Sequence, residues 1–598
     1  MIYYVSANAE EWGEGTEQRP FRTIQCAADK AVPGDEIVIG DGLYREWVNP
    51  LRGGTVDHPI VYRAADGAKP IITGAEIVRD WQSVGHGVWK SAVPNEWFGA
   101  FHPYAEELGG DWYDGFGRVR HVGEVFCNGE ALFETETIRD NADRREWFCR
   151  VTDTTTEFFV FCGDVDPNEA VMEISVRPHC FWPEKVGVNY ITVSGLTMRQ
   201  AATQWAPPTA FQPGAIGPHW SRGWVIENNV VHDSKCCGIS LGKRADSGDN
   251  AWTKNPVKDG GQTYTETIFT ELHHGWNKQT IGSHTVRNNE VYNCGQAGIV
   301  GNMGCAFSVV TGNYVHHINT RGEFGGAEIA AIKFHCAIDV QVTDNCLCHC
   351  TRGLWLDWQA QGARVSRNRM FDNEDMDLFI EVCHGPCLVE NNLLLSRRSV
   401  LHLSQGTAFV HNLFGGKVVV GPDGRFTPYH FPHDTAVLGV MVIHGGDDRL
   451  YNNIFVGTPE TETQYGTSDY AAMQHPLPFL LRHNTYLNHA PCCAQEQEAE
   501  VHEAFAPILR VEETPNGIYL DTNLRDCPLG NQTQTVDTAV LGRTFQANAL
   551  YETPDGQPIT IDMDLLGKAR DKAHPTPGPL ERYEEHMLIW TWDADKRA

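Results

Sequence analysis

The chain has 598 residues, and its 47 Lys+Arg against 77 Asp+Glu give a net charge of −30 with histidine neutral. A surface that negative repels polyphosphate and anionic lipid, so neither nucleic acid nor a membrane face is an expected partner. Apolar residues at 41% and charged residues at 21% form a globular mixture, and no apolar run reaches the roughly 18–20 residues that span a bilayer.

The opening Met1-Ile2-Tyr3-Tyr4-Val5-Ser6 has neither a basic n-region nor a long apolar h-region. A cytoplasmic chain is therefore expected, with its 18 cysteines as reduced thiols. Residues 1–75 read as a cap and the first coils of a solenoid, with a capping helix in the stretch from Phe21 to Lys30 and a strand from Asp35 to Gly40. Residues 76–187 break the repeat. Short apolar runs around Val122, Trp147, Phe158 and Met172, separated by turn residues, predict an inserted antiparallel β-sandwich.

Residues 188–500 carry a recurring phrase: an aliphatic or aromatic residue, two variable positions, then Asn. Its members end at Asn229, Asn289, Asn313, Asn345, Asn368, Asn392, Asn412, Asn453 and Asn484. The tightest steps are 24 (Asn289 to Asn313), 23 (Asn345 to Asn368), 24 (Asn368 to Asn392) and 20 (Asn392 to Asn412), a period in the twenties that indicates a solenoid. There is no regular Leu framework and no 3.6-residue periodicity; each unit holds two or three short alternating runs, which predicts three strands per coil. The fold class is thus all-β, a right-handed parallel β-helix with an inserted sandwich. The Asn corner is expected to adopt left-handed geometry and to hydrogen-bond along a ladder. Steps of 60 from Asn229 to Asn289 and 41 from Asn412 to Asn453 exceed one coil, so loops must leave the stack there. The first of these, about 243–282, holds His273, His274 and Trp276, and the two histidines could roof a groove. Residues 501–598 are expected to pack along the outside.

Counting back eleven from Asn368 gives Asp357, and from Asn392 gives Glu381, so two carboxylates share one phase in adjacent turns. Alternation with Leu354, Leu356, Leu378 and Ile380 turns both outward. Asn302 and His335 continue the column, and Lys333 lies in the column of Trp355 and Phe379. Acids one rung apart have carboxyl groups roughly 5 Å from one another, the separation of retaining glycosidases. Two such charges resist joint ionisation, so one pKa should rise. Lys333 and His335 favour the anion of Asp357, which leaves Asp357 as nucleophile and Glu381 as acid/base. Trp355, Trp358, Phe379 and His384 flank the pair, and aromatic faces suit sugar C–H faces.

The segments Gly325-Gly-Ala-Glu328-Ile-Ala-Ala-Ile-Lys333-Phe-His335, Gly353-Leu-Trp355-Leu-Asp357-Trp358 and Asp377-Leu-Phe-Ile-Glu381-Val-Cys-His384 resemble the glycoside hydrolase family 120 β-xylosidases. The resemblance implies a β-helix interrupted by a sandwich domain, an Asp nucleophile at Asp357 and a Glu acid/base one coil later at Glu381. It also implies that Glu328, and Trp112 from the sandwich domain, help to hold the sugar. The remaining expected substrate contacts are Lys333, His335, Trp355, Trp358 and His384.

Cys346-Leu-Cys348-His-Cys350 places three thiols on one strand face, but thiols at i, i+2 sit too far apart for easy tetrahedral closure, and buried cysteine is a common apolar filler. No metal and no cofactor are expected. The leading expectation is a retaining, exo-acting β-xylosidase that releases xylose from xylo-oligosaccharides. The expected partners are that oligosaccharide substrate and further copies of the chain. An alternative is a polysaccharide lyase or uronate epimerase using Lys333 as base; few arginines near the column and the net charge weigh against it. A third reading is a non-catalytic carbohydrate-binding solenoid.

Overall fold

The computed structural model describes residues 1–138, 144–244, 248–460, 463–530 and 533–591. Three parallel sheets build a right-handed β-helix: two of 13 strands run its length, and one of 7 runs from Cys237–Ser240 to Lys417–Val420. The first starts with Ile2–Val5 against Glu36–Ile39 and ends at Leu480–Arg482. Its inward residues, Ile37, Tyr62, Val193, Ile226, Val286, Val310, Val342, Val365 and Val389, are fully or almost fully buried and continue a single core down the stack. The capping helix is Ile24–Ala28, N-capped by Thr23, whose Oγ1 accepts from the Cys26 amide.

The asparagine ladder is continuous. The amide and Nδ2 of Asn345 both donate to Asn368 Oδ1 at 3.0 Å. Those of Asn368 donate to Asn392 Oδ1 at 2.8 and 3.0 Å, and the pattern runs from Asn229 to Asn484. Each Nδ2 also donates to a core-strand carbonyl, such as Asn368 to Val342 at 2.9 Å. One expectation is corrected. The left-handed residue is the one before each ladder Asn, namely Asn228, Asn288, Gly312, Asp344, Arg367, Asn391, His411, Asn452 and His483, with φ between 52° and 66°. That residue absorbs the sharp turn, which frees the next side chain to point inward and bond along the stack.

Residues within 75–175 form two facing sheets, one of four strands and one of five, closed over Trp81, Tyr104, Trp147, Phe158 and Ile174. All pairings are antiparallel except Phe133–Glu134 with Glu146–Val151. The C-terminal strands Leu509–Thr514, Gly517–Thr522 and His586–Trp590 make a three-stranded antiparallel sheet. Its residues Ile518, Leu520 and Ile589 pack with Cys346, Cys348, Phe371 and Leu393 on the outside of the helix. Cys350 departs from the expected common face of the three thiols: it lies past the end of the strand Cys346–Cys348 and turns into the central core. No helix of the described residues is long and apolar enough to cross a membrane.

Both long steps leave the stack as the spacing requires. Between Asn229 and Asn289 the chain forms the helices Ala251–Lys254 and Gly260–His273; between Asn412 and Asn453 it forms a hairpin of Asp423–His430 with Val437–Ile443.

Replacing Asn368 by Ala strips the Asn345 amide and Nδ2 of their common acceptor inside the core. At roughly 1–3 kcal/mol for each buried polar group left unpaired, the variant should lose about 2–4 kcal/mol, read as a lower urea midpoint. A midpoint within error of the parent would mean that the ladder contributes no stability.

Candidate active site

The seven-stranded sheet carries the site. Its strands Ala297–Asn302, Ala330–His335, Arg352–Asp357 and Met376–Glu381 pair in parallel, with Asn302 opposite His335, His335 opposite Asp357, and Asp357 opposite Glu381. These four polar residues are the last of their strands. After each, the chain turns through a left-handed residue, Met303, Cys336, Trp358 or Val382, with φ of 57°, 51°, 36° and 52°. A β-branched residue such as Val382 pays about 1–3 kcal/mol for that geometry. The column therefore stands on the rim of the sheet, where side chains reach a groove.

The groove is roofed. The loop with Trp112 from the insertion, Pro208, the start of Gly260–His273 with Asp259 and Tyr264, and Arg425 from the hairpin close around Glu328, His335, Asp357 and Glu381. Together they line a partly open cavity of about 440 Å³. A short antiparallel bridge of Tyr113–Asp114 with Gly325–Gly326 sets Trp112 beside Glu328, and the Ala327 amide donates to the Trp112 carbonyl at 3.1 Å. Asp111 is fully buried and accepts from the Thr253 amide at 2.7 Å, from Thr253 Oγ1 at 2.6 Å and from Thr209 Oγ1. One carboxylate thus ties the insertion, the 203–215 loop and the helical excursion together. Backbone also approaches closely at Gly260, where a Cβ would lie 2.4 Å from Trp112 Cζ2.

The two carboxylates have opposite surroundings. Asp357 is 4% exposed, and its Oδ2 accepts from Lys333 Nζ at 2.7 Å with His335 Nε2 at 3.1 Å. Burial alone would raise its pKa, but Lys333 and then His335 outweigh burial and hold it below the usual carboxylate range. Its Oδ1 is buried without a hydrogen-bond partner among the described residues. Glu381 is raised to about 7, first by burial and then by the charge of Asp357, against a lowering by Arg425. Arg425 Nη2 donates to Glu381 Oε1 and, at 2.7 Å, to Asp423 Oδ2. Near neutrality the arrangement offers one fixed anion and, a rung away, one carboxyl that exchanges its proton.

Glu328 Oε2 lies 3.6 Å from Lys333 Nζ and 3.8 Å from His335 Nε2. Glu328, His335 and Asp357 converge closely enough to suggest a cation site. The Lys333 ammonium already occupies that charge position, bonded to Asp357 and facing Glu328.

Of the residues read from sequence, Asp357, Glu381, Glu328, Trp112, His335, Trp355 and Trp358 line the cavity. Three expectations change. Lys333 is fully buried beneath Asp357 and is not part of the cavity lining. His384 is 1% exposed; its Nε2 contacts the Thr427 and Met441 carbonyls at 3.2 Å and Gln405 donates to its Nδ1, so it anchors the hairpin and is no substrate contact. Trp355 has no free ring face: Lys333 Nζ sits 2.9 Å from its ring centroid, and Phe379 stacks at 4.8 Å. It offers an edge, with Nε1 unpartnered among the described residues.

Arg425, Asp423, Tyr264, Asp259 and Pro208 were not foreseen. No local motif marks them; the long steps after Asn229 and Asn412 located the segments of the first four without the residues, and no spacing signal pointed to Pro208. His273 and His274 lie at the far end of their helix, outside the cavity lining.

A rim of parallel strands that presents an anionic and a protonatable carboxylate in register, within a roofed cavity, defines a glycoside hydrolase. Residues 78–174 match the glycoside hydrolase 120 insertion domain. The solved complex of XylC with xylose is 37% identical in sequence, covers 99% of this chain and 100% of that one, and superposes with a TM-score of 0.94. The chain belongs to glycoside hydrolase family 120 and is a xylosidase-like glycoside hydrolase. Two curated relatives match only locally: the uncharacterized protein YwoF of Bacillus subtilis, 35% identical over 74 residues, and pectate lyase PEL9 of Emericella nidulans, 36% over 76. Each match covers 12% of this chain, and 16% and 18% of the respective relatives.

Substituting Gly260 with Ala should push Trp112 out of place and lower kcat/KM on an aryl glycoside on the order of tenfold. Circular dichroism should stay that of the parent. Unchanged kinetics would mean that Trp112 has no positional role.

Proposed function

We propose that the enzyme is a retaining, exo-acting β-xylosidase that removes xylose from the non-reducing end of short xylo-oligosaccharides in the cytoplasm. The observation that carries this reading is the in-register pairing of Asp357 with Glu381 on adjacent strands. Neighbouring strands lie about 4.8 Å apart, which suits the separation of roughly 5–5.5 Å used for retention and falls short of the roughly 6.5–9.5 Å that inversion needs. The partnerless Asp357 Oδ1 attacks C1 while Glu381 passes its proton to the departing glycosidic oxygen, so the C1–O bond breaks as the C1–Oδ1 bond forms. In the second step Glu381 takes a proton from a water that attacks C1, and Asp357 leaves as the carboxylate. XylC binds xylose, and its near-complete correspondence to this chain supports a pentose in the cavity. The walls formed by Trp112, the Gly260–His273 helix and the hairpin favour a chain end over a chain interior. Glu328 and Trp112 stand where they can grip the sugar, as the family resemblance implies.

The lyase reading needs Lys333 as a free base. Its ammonium is buried and committed to Asp357, so Lys333 is not a free base.

Asp357→Ala should lower turnover of an aryl β-xyloside on the order of 10⁴-fold. Glu381→Ala should spare aryl leaving groups more than xylobiose, because a good leaving group needs little protonation, and added azide should yield the β-xylosyl azide. An α-configured first product by NMR would exclude retention.

Glu381 works as an acid only while protonated, so activity should fall as pH rises through about 7. Arg425 favours the Glu381 anion; Arg425→Met should therefore move this basic limb up by about one pH unit. Asp423→Asn releases Arg425 from its other partner and should move the limb down. Identical limbs in the parent and both variants would detach Arg425 from the proton donor.

A further inference from the structure

The thiol-rich strand that the catalytic site leaves unused meets the C-terminal sheet in a second cluster of donor atoms. Cys348 ends the strand Cys346–Cys348, where its register neighbours are His316 and Phe371. His349 follows in the left-handed conformation, with φ 53°, which swings its ring to the same side as the thiol. Glu513 arrives from Leu509–Thr514, more than 160 residues away in sequence, as its contact with His349 records. A Cys348 sulfur, a His349 ring nitrogen and a Glu513 carboxylate oxygen all lie within 4.8 Å of one another.

His349 Nε2 is 2.5 Å from Glu513 Oε1, the His317 ring stands 5.1 Å from the His349 ring, and His317 Nδ1 is 2.7 Å from His316 Nδ1. An ordinary surface ion pair accounts for His349 with Glu513. Tyr314 Oη joins them, accepting from the buried Cys348 sulfur at 3.9 Å and donating to Glu513 Oε2 at 3.2 Å, and further imidazoles gather at the open side.

We propose that Cys348, His349 and Glu513 form a binding site for a zinc-class transition-metal ion, with the fourth position open toward His317. The donor set carries the assignment: thiolate, imidazole and carboxylate are all zinc ligands, closing at about 2.0–2.3 Å, and sulfur disfavours magnesium and calcium. This differs from the sequence expectation of a metal-free chain because the strand contributes one thiol, and the other two ligands come from the turn after it and from a distant sheet. On binding, the Cys348 thiol gives its proton to solvent as the metal–sulfur bond forms, and the ion links the C-terminal sheet to the β-helix.

The test uses the full chain stripped with EDTA and titrated with Co²⁺ alone, then with Zn²⁺ in competition. One Co²⁺ per chain should produce a thiolate-to-cobalt charge-transfer band in the near ultraviolet, which zinc abolishes. Cys348→Ala should remove the band, while His349→Ala and Glu513→Gln, both at the solvent edge, should weaken binding tenfold or more with xylosidase activity unchanged. The donor clusters Glu328/His335/Asp357 and Glu512/Asp521/His586 hold no thiol, so cobalt bound there cannot mimic the signal. Absence of the band in the parent, or a band that survives in Cys348→Ala, would overturn the proposal.

Discussion

The register of parallel pairing between successive coils places the polar column at the rim of the candidate site, and the asparagine ladder holds that register. Each ladder Asn satisfies two donors from its neighbour and caps a carbonyl of the adjacent strand, all inside the core. A slip of one residue would reverse the face of every side chain in the strand and break these bonds together. Asp357 and Glu381 share a rung because Asn345, Asn368 and Asn392 share a ladder. The spacing of the two carboxylates therefore follows from the stacking of adjacent strands.

Equivalent positions on successive coils still yield unlike acids. Toward one end of the column stand Lys333 and His335, which compensate the burial of Asp357 and keep it charged. Toward the other end the column runs into Leu403, and the cation for Glu381 comes from outside the stack, through Arg425. Arg425 is shared with Asp423, so its hold on Glu381 is partial and burial prevails. A repetitive scaffold would give identical environments; the division of labour arises where the repeat is interrupted.

Those interruptions also turn an open groove into a cavity. The insertion, the helical excursion and the hairpin are far apart in the chain, yet Asp111 binds the first two, and His384 with Gln405 anchors the third on the stack. Buried polar groups of this kind are costly unless every partner is present. That makes the roof sensitive to single substitutions well away from the reacting atoms.

Much of the plan was legible in the chain. The 24-residue spacing of asparagines, the alternation around Leu354–Asp357 and Leu378–Glu381, and the long steps at 229 and 412 report local periodicity. A solenoid converts local periodicity directly into spatial columns, so fold and carboxylate pair could be read together. What lay beyond reach were contacts between segments of unrelated phase. Arg425 against Glu381, Tyr264 in the wall, the sandwiching of Trp355 by Lys333 and Phe379, the withdrawal of His384 behind the hairpin, and Glu513 beside Cys348 all depend on how loops and the terminal sheet fold back. The repeat determined which side chains share a column. Only the tertiary structure decided what covers that column, because covering segments are chosen by packing and buried hydrogen bonds across hundreds of residues, and no spacing rule records them.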